Sequence, residues 1–224
     1  MNFQECDLGF TFQSNEILVF FGKKDADLAA LQTKFPNLEF LRIKQTHSDK
    51  VVEASHQITA ADAHWTLQSN TGLVIATADC LPIMIYNSET KTIAAVHAGW
   101  RGVENQITLK AIEKITSRNT DLNNVHFWIG PHILQKSFEI DRAVLDLLLK
   151  SYLNKNLTDC YFSSNDKFFV NLLEIVKSQI SSYFGEVPNL LDLAKDTKTE
   201  NLFHSFRRDQ QNSGRNLSFI ALLK

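Results

Sequence analysis

Apolar runs of strand length recur along the first two thirds of the chain and predict a protein rich in β-structure. We expect strands at residues 17–21, 38–43, 50–53, 73–76, 81–86, 92–97 and 125–129, and a last one at 217–223. Some of these runs are continuously apolar rather than alternating, as at Ile83, Met84 and Ile85. Such runs are typical of strands that are covered on both faces.

Between and after these strands, apolar residues recur at helical spacing. Residues 105–117 place Ile107, Ala111 and Ile115 on one face and Lys110 and Lys114 on the other, which indicates an amphipathic helix. The same pattern predicts helices at residues 25–34, 141–153 and 170–183.

The order of these elements predicts an α+β fold in a single domain spanning residues 1–224. The strands at 73–76, 81–86 and 92–97 follow each other too closely for helical crossovers, so they must include antiparallel pairs. No Gly-, Ser- or Pro-rich linker divides the chain. We therefore expect mixed β-sheets flanked by helices rather than a doubly wound parallel sheet.

Composition and charge narrow the class of protein. The 224 residues are 44% hydrophobic and 21% charged, with a formal net charge of -2, so no overall field attracts nucleic acid or anionic lipid. Three cysteines, Cys6, Cys80 and Cys160, form no disulfide framework or metal finger. The apolar runs are shorter than the roughly 20 residues that cross a bilayer, and the first residues lack signal-peptide features. We expect a cytoplasmic protein that binds neither nucleic acid nor membrane.

Reactive side chains cluster after three of the predicted strands, in residues 45–48, 77–80 and 96–102. Loops that follow strands commonly carry functional groups, because a rigid sheet can direct them to one point. These segments contain Cys80 and two histidines, His47 and His97. The three residues are too far apart in sequence for a local finger, so the sheet must bring them together if they act jointly.

Three interpretations of these residues remain open at this stage. Each can be a separate structural residue, or Cys80 can be a thiolate nucleophile with a histidine as its base. In the third interpretation, His47, Cys80 and His97 bind a metal ion with an open fourth position, zinc first and copper as the alternative. The glycines after His97 and the nearby cation of Arg101 favour the metal site. An arginine there suits a phosphate or another anion, with a structural salt bridge as its alternative role.

Taken together, the motifs resemble the laccase-domain proteins of the YfiH type, a family also described as polyphenol oxidases or purine nucleoside phosphorylases. The resemblance extends from about residue 38 to the C-terminus. It rests on Gln45-Thr46-His47, Thr77-Ala78-Asp79-Cys80-Leu81-Pro82, Ala95-Val96-His97-Ala98-Gly99-Trp100-Arg101-Gly102, Ile129-Gly130-Pro131, Phe206-Arg207-Arg208-Asp209 and Ser213-Gly214-Arg215.

The resemblance implies a zinc site at His47, Cys80 and His97 in a fold similar to the catalytic domains of cytotoxic necrotizing factor toxins. It also implies a monomer that cleaves adenosine, inosine and methylthioadenosine with phosphate and deaminates adenosine. Because a Cys/His pair performs hydrolysis in those toxins, a Cys80-centred amide hydrolase acting on a cell-wall precursor is the alternative function. A metal-binding protein without enzymatic activity is a third.

Under the phosphorylase hypothesis, the residues that we expect to act in catalysis are His47, Cys80, His97 and Arg101. The residues that we expect to bind substrate and phosphate are Gln45, Arg101, Arg207 and Arg208. Asp79 can carry a proton only if a turn redirects its side chain toward Cys80. His132, which follows the Ile-Gly-Pro motif, is expected in a surface turn, with an extra metal ligand or a proton carrier as its alternative role.

The number of histidines argues against multicopper chemistry. A blue multicopper oxidase needs on the order of ten histidines, largely as His-x-His pairs around its copper sites. This chain has seven histidines, and none forms such a pair. A copper-dependent polyphenol oxidase is therefore the least favoured function, although a single copper ion at a His2Cys site is chemically reasonable.

Overall fold

The computed structural model describes residues 2–116, 120–154, 156–187 and 189–224, which form three β-sheets with helices packed around them. The strands are β1 (Gln4–Cys6), β2 (Gly9–Gln13), β3 (Ile17–Gly22), β4 (Glu39–Arg42), β5 (Val51–Glu53), β6 (Ala63–Thr66), β7 (Thr71–Thr77), β8 (Leu81–Asn87), β9 (Thr92–Ala98), β10 (Val125–Ile129), β11 (Glu139–Ile140), β12 (Tyr161–Ser164), β13 (Lys167–Val170), β14 (Leu190–Asp192) and β15 (Asn216–Leu222). The α-helices are α1 (Leu28–Lys34), α2 (Trp100–Glu104), α3 (Ile107–Ile115), α4 (Arg142–Ser151), α5 (Leu172–Phe184) and α6 (Phe206–Asp209).

Two of the sheets have six strands each. The first has the order β1-β2-β3-β15-β7-β4 and the second has the order β14-β10-β8-β9-β6-β5, while β11-β13-β12 form a small third sheet. The pairs β4–β7, β5–β6 and β10–β14 are parallel, and the other strand pairs of the described residues are antiparallel. This arrangement confirms the predicted α+β fold with mixed sheets.

The two large sheets share a buried layer of side chains. Phe21 and Ile75 from the first sheet lie in one cluster with Met84 and Trp128 from the second. Residues Ile83 and Ile85 of β8 belong instead to the cluster on the other face of the second sheet, which α3, α4 and α5 cover. Because neighbouring strand residues point to opposite faces, β8 is buried on both sides. The sequence of β8 is continuously apolar because both of its faces are covered.

Helix α1 covers the outer face of the first sheet. Its Leu31 is buried against Phe20 and Phe219, and the side chain of Asp27 caps the first turn by accepting a hydrogen bond from the Ala30 backbone N–H at 2.7 Å. The order of layers is therefore helix, sheet, sheet, helices. None of the described helices is both long enough and apolar enough to span a membrane.

The predicted strands are all present within two residues at each end, and the four predicted helices correspond to α1, α3, α4 and α5. The predicted end of α3, residue 117, lies outside the described residues. The sequence patterns missed short strands such as β1 and β12, whose residues are largely exposed. Edge strands of this kind carry little apolar signal because they bury few side chains.

The chain passes from the first sheet to the second at two places near the functional segments. One crossing joins β4 to β5 and contains residues 43–50, and the other joins β7 to β8 through residues 78–80. The predicted site residues His47 and Cys80 lie in these two crossings. The fold therefore brings both residues to the junction of the two sheets.

Candidate metal centre and its cavity

The side chains of His47, Cys80 and His97 converge at the junction of the two sheets. His97 lies on β9, paired with Pro82 of β8. The potential ligand atoms of the three residues all lie within 4.8 Å of one another, and no other such group of three occurs in the part of the chain that the structure describes. Cys80 Sγ lies 4.0 Å from His47 Nε2. We call these three residues the ligand triad.

Asp62, which sequence reasoning did not identify, holds two members of the ligand triad in place. Its fully buried carboxylate lies 2.8 Å from His97 Nδ1. It also accepts hydrogen bonds from the backbone N–H groups of Thr46, His47 and Ser48 and from the Ser48 hydroxyl. His97 can therefore donate Nδ1–H to Asp62 and keep Nε2 for a ligand. The same carboxylate stabilises His47 in its left-handed conformation, with φ 58°.

Hydrogen bonding outweighs burial in setting the charges of the site. Burial raises the pKa of Asp62, but hydrogen bonds from His97 and Ser48 bring it well below its usual range. Burial lowers the pKa of His97, but Asp62 and Cys80 raise it to about 9. Burial raises the pKa of the Cys80 thiol, but His47 and His97 lower it to about 7. The site therefore supports a thiolate near neutral pH, which both a nucleophile and a metal ligand require.

The lack of a side chain at Gly99 leaves room for the ligand triad. A Cβ atom at this position would lie 3.0 Å from Cys80 Sγ and 3.1 Å from His47 Cδ2. Two imidazoles and one thiolate form a donor set suited to a borderline-soft ion such as zinc or copper. The residues of this site therefore fit a metal ion. They offer three protein ligands and leave a fourth position for substrate or water.

The ligand triad lines a cavity of about 510 Å³. Aromatic rings and guanidinium groups dominate the rest of its wall, which includes Trp100, Phe138, Phe206, Arg101, Arg207 and Arg215. Three of these residues, Arg101, Phe206 and Arg215, are exposed, and we call them the outer wall. The Arg101 guanidinium stacks on the Trp100 ring at 4.2 Å. The ion pairs found among the described residues do not include Arg101, so its charge is available to a ligand.

The two arginines of helix α6 have different surroundings. Arg207 lines the cavity, donates from Nη1 to the Glu139 carbonyl at 2.7 Å and stacks over the Phe138 ring. Arg208 is not among the lining residues. Its guanidinium donates to three backbone carbonyls and pairs with Asp209. The fold therefore uses most donors of Arg208 outside the cavity wall, and its predicted substrate role stays a prediction.

Gln45 lines the cavity, but its amide group is used by the sheet. Nε2 donates to the Ala76 carbonyl and Oε1 accepts from the Ala76 backbone N–H, both at 2.8 Å. The side chain thus forms the hydrogen bonds of a neighbouring strand. Gln45 is thus part of the cavity wall with its amide group paired to Ala76, and its predicted contact with substrate stays a prediction.

Asp79 and His132 also differ from the expectations. The positive φ of Asp79, 87°, does redirect its side chain, but the carboxylate accepts hydrogen bonds from the Thr197 hydroxyl and the Arg207 backbone N–H, both at 2.6 Å. Asp79 thereby positions Arg207. His132 is 3% exposed rather than in a surface turn, and its Nδ1 bonds to the Gly130 carbonyl. It does not line the cavity.

Sequence reasoning missed Asp62, Phe138, Phe206 and Arg215 as members of the site. A signal for Asp62 is its place among Ala60, Ala61 and Ala63, because a lone acidic residue in an apolar segment needs a partner once it is buried.

The fold and the ligand triad together define a laccase-domain protein. Residues 2–223 match the family model described as multi-copper polyphenol oxidoreductase laccase, and the chain belongs to that family. The chain is 29% identical over 186 residues to a purine nucleoside phosphorylase of Rickettsia conorii, covering 80% of this chain and 74% of the relative. It is 28% identical over 186 residues to the purine nucleoside phosphorylase YfiH of Escherichia coli, covering 81% and 73%. A purine nucleoside phosphorylase of Campylobacter jejuni is 30% identical over 170 residues, 74% of this chain and 70% of the relative.

Solved structures confirm the fold. The crystal structure of YfiH from Bacillus licheniformis matches with a TM-score of 0.86 at 19% identity, covering 99% of both chains. The crystal structure of YlmD from Geobacillus stearothermophilus matches with a TM-score of 0.86 at 20% identity, covering 99% of this chain and 98% of that one. The family and the α+β architecture that the sequence motifs predict are both confirmed.

Proposed function

We propose that this protein is a metal-dependent purine nucleoside phosphorylase that acts at the ligand triad. The observation that carries the proposal is the convergence of His47, Cys80 and His97 within 4.8 Å beside a cavity lined by arginines and aromatic rings. The relatives that resemble most of this chain bear the name purine nucleoside phosphorylase. The proposed substrates are inosine, adenosine and methylthioadenosine, with deamination of adenosine as a second reaction.

The cavity suits a nucleoside and phosphate in size and chemistry. Its volume of about 510 Å³ falls in the roughly 300–1,000 Å³ range of small-molecule sites. Aromatic faces such as those of Trp100 and Phe206 can stack on a purine. The unpaired guanidinium of Arg101 can hold a phosphate dianion. In the reaction, a phosphate oxygen forms a bond to the ribose C1′ while the bond from C1′ to the base breaks, and the base leaves with the electron pair and takes up a proton.

We propose zinc as the metal, with copper as the alternative, held by His47, Cys80 and His97. A bound Zn²⁺ supplies Lewis acidity, which polarises an oxygen or nitrogen of the substrate. Asp62 orients the imidazole of His97 for this task, and Gly99 lets the backbone approach. Arg101 supplies positive charge for the phosphate. Asp62, Gly99 and Arg101 take up these positions without a bound ligand.

The test is a coupled assay of the zinc-loaded protein with inosine and phosphate. We expect hypoxanthine and ribose 1-phosphate in equal amounts, and no product from the Cys80→Ala variant. Cys6→Ala, which changes a half-buried cysteine outside the cavity, is the matched control and keeps full activity. Wild-type protein that carries one zinc ion per chain and releases no base from any of the three nucleosides would overturn the proposal.

A second candidate is supported by the distance between Cys80 and His47. The 4.0 Å separation of Cys80 Sγ and His47 Nε2, with a thiol pKa of about 7, also suits a cysteine nucleophile and its base. The reaction is hydrolysis of an amide bond, with a cell-wall precursor as the proposed substrate. Amidase activity that survives complete chelation of metal and disappears in Cys80→Ala would favour this function over phosphorolysis.

Copper-dependent oxidation of phenols remains the least favoured function. A multicopper enzyme needs several metal sites, and the residues that the structure describes contain one group of three potential ligands. Oxygen consumption with a phenol by the copper-loaded protein, at a rate above that of free copper, would be needed to support it.

A further inference from the structure

We propose that Arg215 is a phosphate-binding residue of the cavity, acting together with Arg101. The inference rests on the proposed phosphorylase function for the identity of the anion, whereas the position of Arg215 follows from the fold alone. Arg215 is exposed, lines the same cavity as the ligand triad and directly precedes β15. Arg101 reaches this cavity from α2, so the two cations come from different elements.

The fold holds the backbone on both sides of Arg215. On one side, a Cβ atom at Gly214 would lie 2.5 Å from the His204 ring, so only glycine allows this close approach. On the other side, Asn216 is 1% exposed, and its side chain accepts from the His204 backbone N–H at 2.8 Å and donates to the His204 carbonyl at 2.9 Å. These contacts with His204 fix the backbone segment that carries Arg215.

The guanidinium of Arg215 uses only some of its N–H donors within the protein. Nη1 donates to the carbonyls of Ser213 and Gly214 at 3.1 and 2.8 Å. Within the described residues, Nε and Nη2 make no hydrogen bond and the group has no carboxylate partner. Two free N–H groups in one plane match two oxygens of a phosphate, which a guanidinium binds in parallel.

The two arginines of α6 are less accessible than Arg101 and Arg215. Arg208 pairs with Asp209. In the first turn of α6, the backbone N–H of Arg207 donates to Asp79 and that of Arg208 donates to Ser205, so this turn has no free N–H for an anion at those positions. Arg207 is half-buried, donates to the Glu139 carbonyl and stacks over the Phe138 ring. Arg101 and Arg215 are the two exposed arginines of the cavity wall, so they are the ones that a dianion can reach from solvent.

The test is the effect of Arg215→Met on the KM for phosphate in zinc-loaded protein. We expect that KM to rise at least about tenfold, as loss of a charge-assisted hydrogen bond implies, while the KM for inosine changes less than about twofold. Arg215→Lys keeps the charge without the planar fork and is expected between the two. Arg142→Met, an exposed arginine of α4 outside the cavity, is the matched control and leaves both constants unchanged.

Titration calorimetry with inorganic phosphate separates this inference from the proposed function. Phosphate binding by the wild type that weakens in Arg215→Met supports the role of Arg215 even if no base is released, which would count against the phosphorylase alone. Equal phosphate affinity in wild type and Arg215→Met overturns the role of Arg215 and leaves the phosphorylase standing. A wild type that cleaves inosine without any dependence on phosphate counts against the phosphorylase, whereas a wild type that binds no phosphate overturns the role of Arg215.

Discussion

The ligand triad and the outer wall of the cavity are built in opposite ways. The buried carboxylate of Asp62 accepts hydrogen bonds from six donor groups and so fixes both His47 and His97. The outer wall, in contrast, consists of exposed side chains with unused donors or ring faces. Under the proposed function, this difference assigns the chemistry to the ligand triad and the recognition of substrate to the outer wall. Changes at the ligand triad should therefore abolish metal binding and activity, whereas changes at the outer wall should alter affinity alone.

The largest effect is expected from Cys80→Ala, which removes the single thiolate of the ligand triad. Elemental analysis of wild-type protein purified without chelator should find about one zinc ion per chain, and the variant should hold almost none, because two histidines alone rarely retain the ion. The Cys6→Ala control should keep the wild-type content. Equal metal in Cys80→Ala and wild type would show that the ion is bound elsewhere.

A smaller loss is expected from Asp62→Asn, which keeps the shape of the side chain and removes its charge. Metal affinity should fall about 10- to 100-fold, because the partner of a metal-bound histidine sets its orientation and basicity. The free energy of unfolding should fall by about 3–5 kcal/mol, as for other broken buried ion pairs. Competition with a zinc chelator and denaturant titration measure the two effects.

Asp146→Asn, which removes an exposed carboxylate paired with Arg142, is the control for Asp62→Asn. It should change the free energy of unfolding by less than about 1 kcal/mol and leave metal affinity unchanged. If Asp62→Asn matched this control in both measurements, the carboxylate would not position the ligand triad.

Gly99→Ala tests how closely the backbone must approach the ligand triad. The backbone angle of Gly99, φ -73°, is open to alanine, so the protein should fold. The added methyl group must displace Cys80 Sγ or the His47 ring, at a cost of about 1–3 kcal/mol for overpacking. We expect metal affinity to fall about tenfold in chelator competition. Unchanged affinity would mean that Cys80 and His47 shift freely and that the ligand triad is not rigid.

The smallest effect is expected at the outer wall, from Phe206→Ala. Loss of one stacking ring should raise the KM for inosine about threefold to tenfold with unchanged metal content. Phe162→Ala is the matched control, because Phe162 is 40% exposed on β12 and Phe206 is 41% exposed, but only Phe206 lines the cavity. A change in metal content with Phe206→Ala would break the separation between the two regions.

Sequence patterns predict the central strands well because these strands are buried on both faces, as β8 shows at Ile83, Met84 and Ile85. They miss β1 and β12 because those edge strands expose most of their residues. The extent of the domain, residues 1–224, and the roles of the site residues stay predictions.

The sequence motifs predict the ligand triad but not Asp62. The role of Asp62 depends on contacts with residues 14 to 35 positions away in the sequence. The surroundings of Arg208 are likewise not visible in its motif. Its motif suggests substrate binding, and only the fold shows that backbone carbonyls use its donors. Neither the contacts of Asp62 across 14 to 35 positions nor those of Arg208 across 5 to 11 positions leave a periodic signal in the sequence.

The two crossings between the sheets have a consequence for the lifetime of the folded state. His47 and Cys80 lie in these crossings, and His97 belongs to the second sheet, so an ion held by all three links the sheets across their junction. A link that must break before the sheets can part raises the barrier to unfolding. Metal binding should therefore slow unfolding. In the metal-free protein, the backbone amide hydrogens of β8 and β9 should exchange faster than in the metal-bound protein.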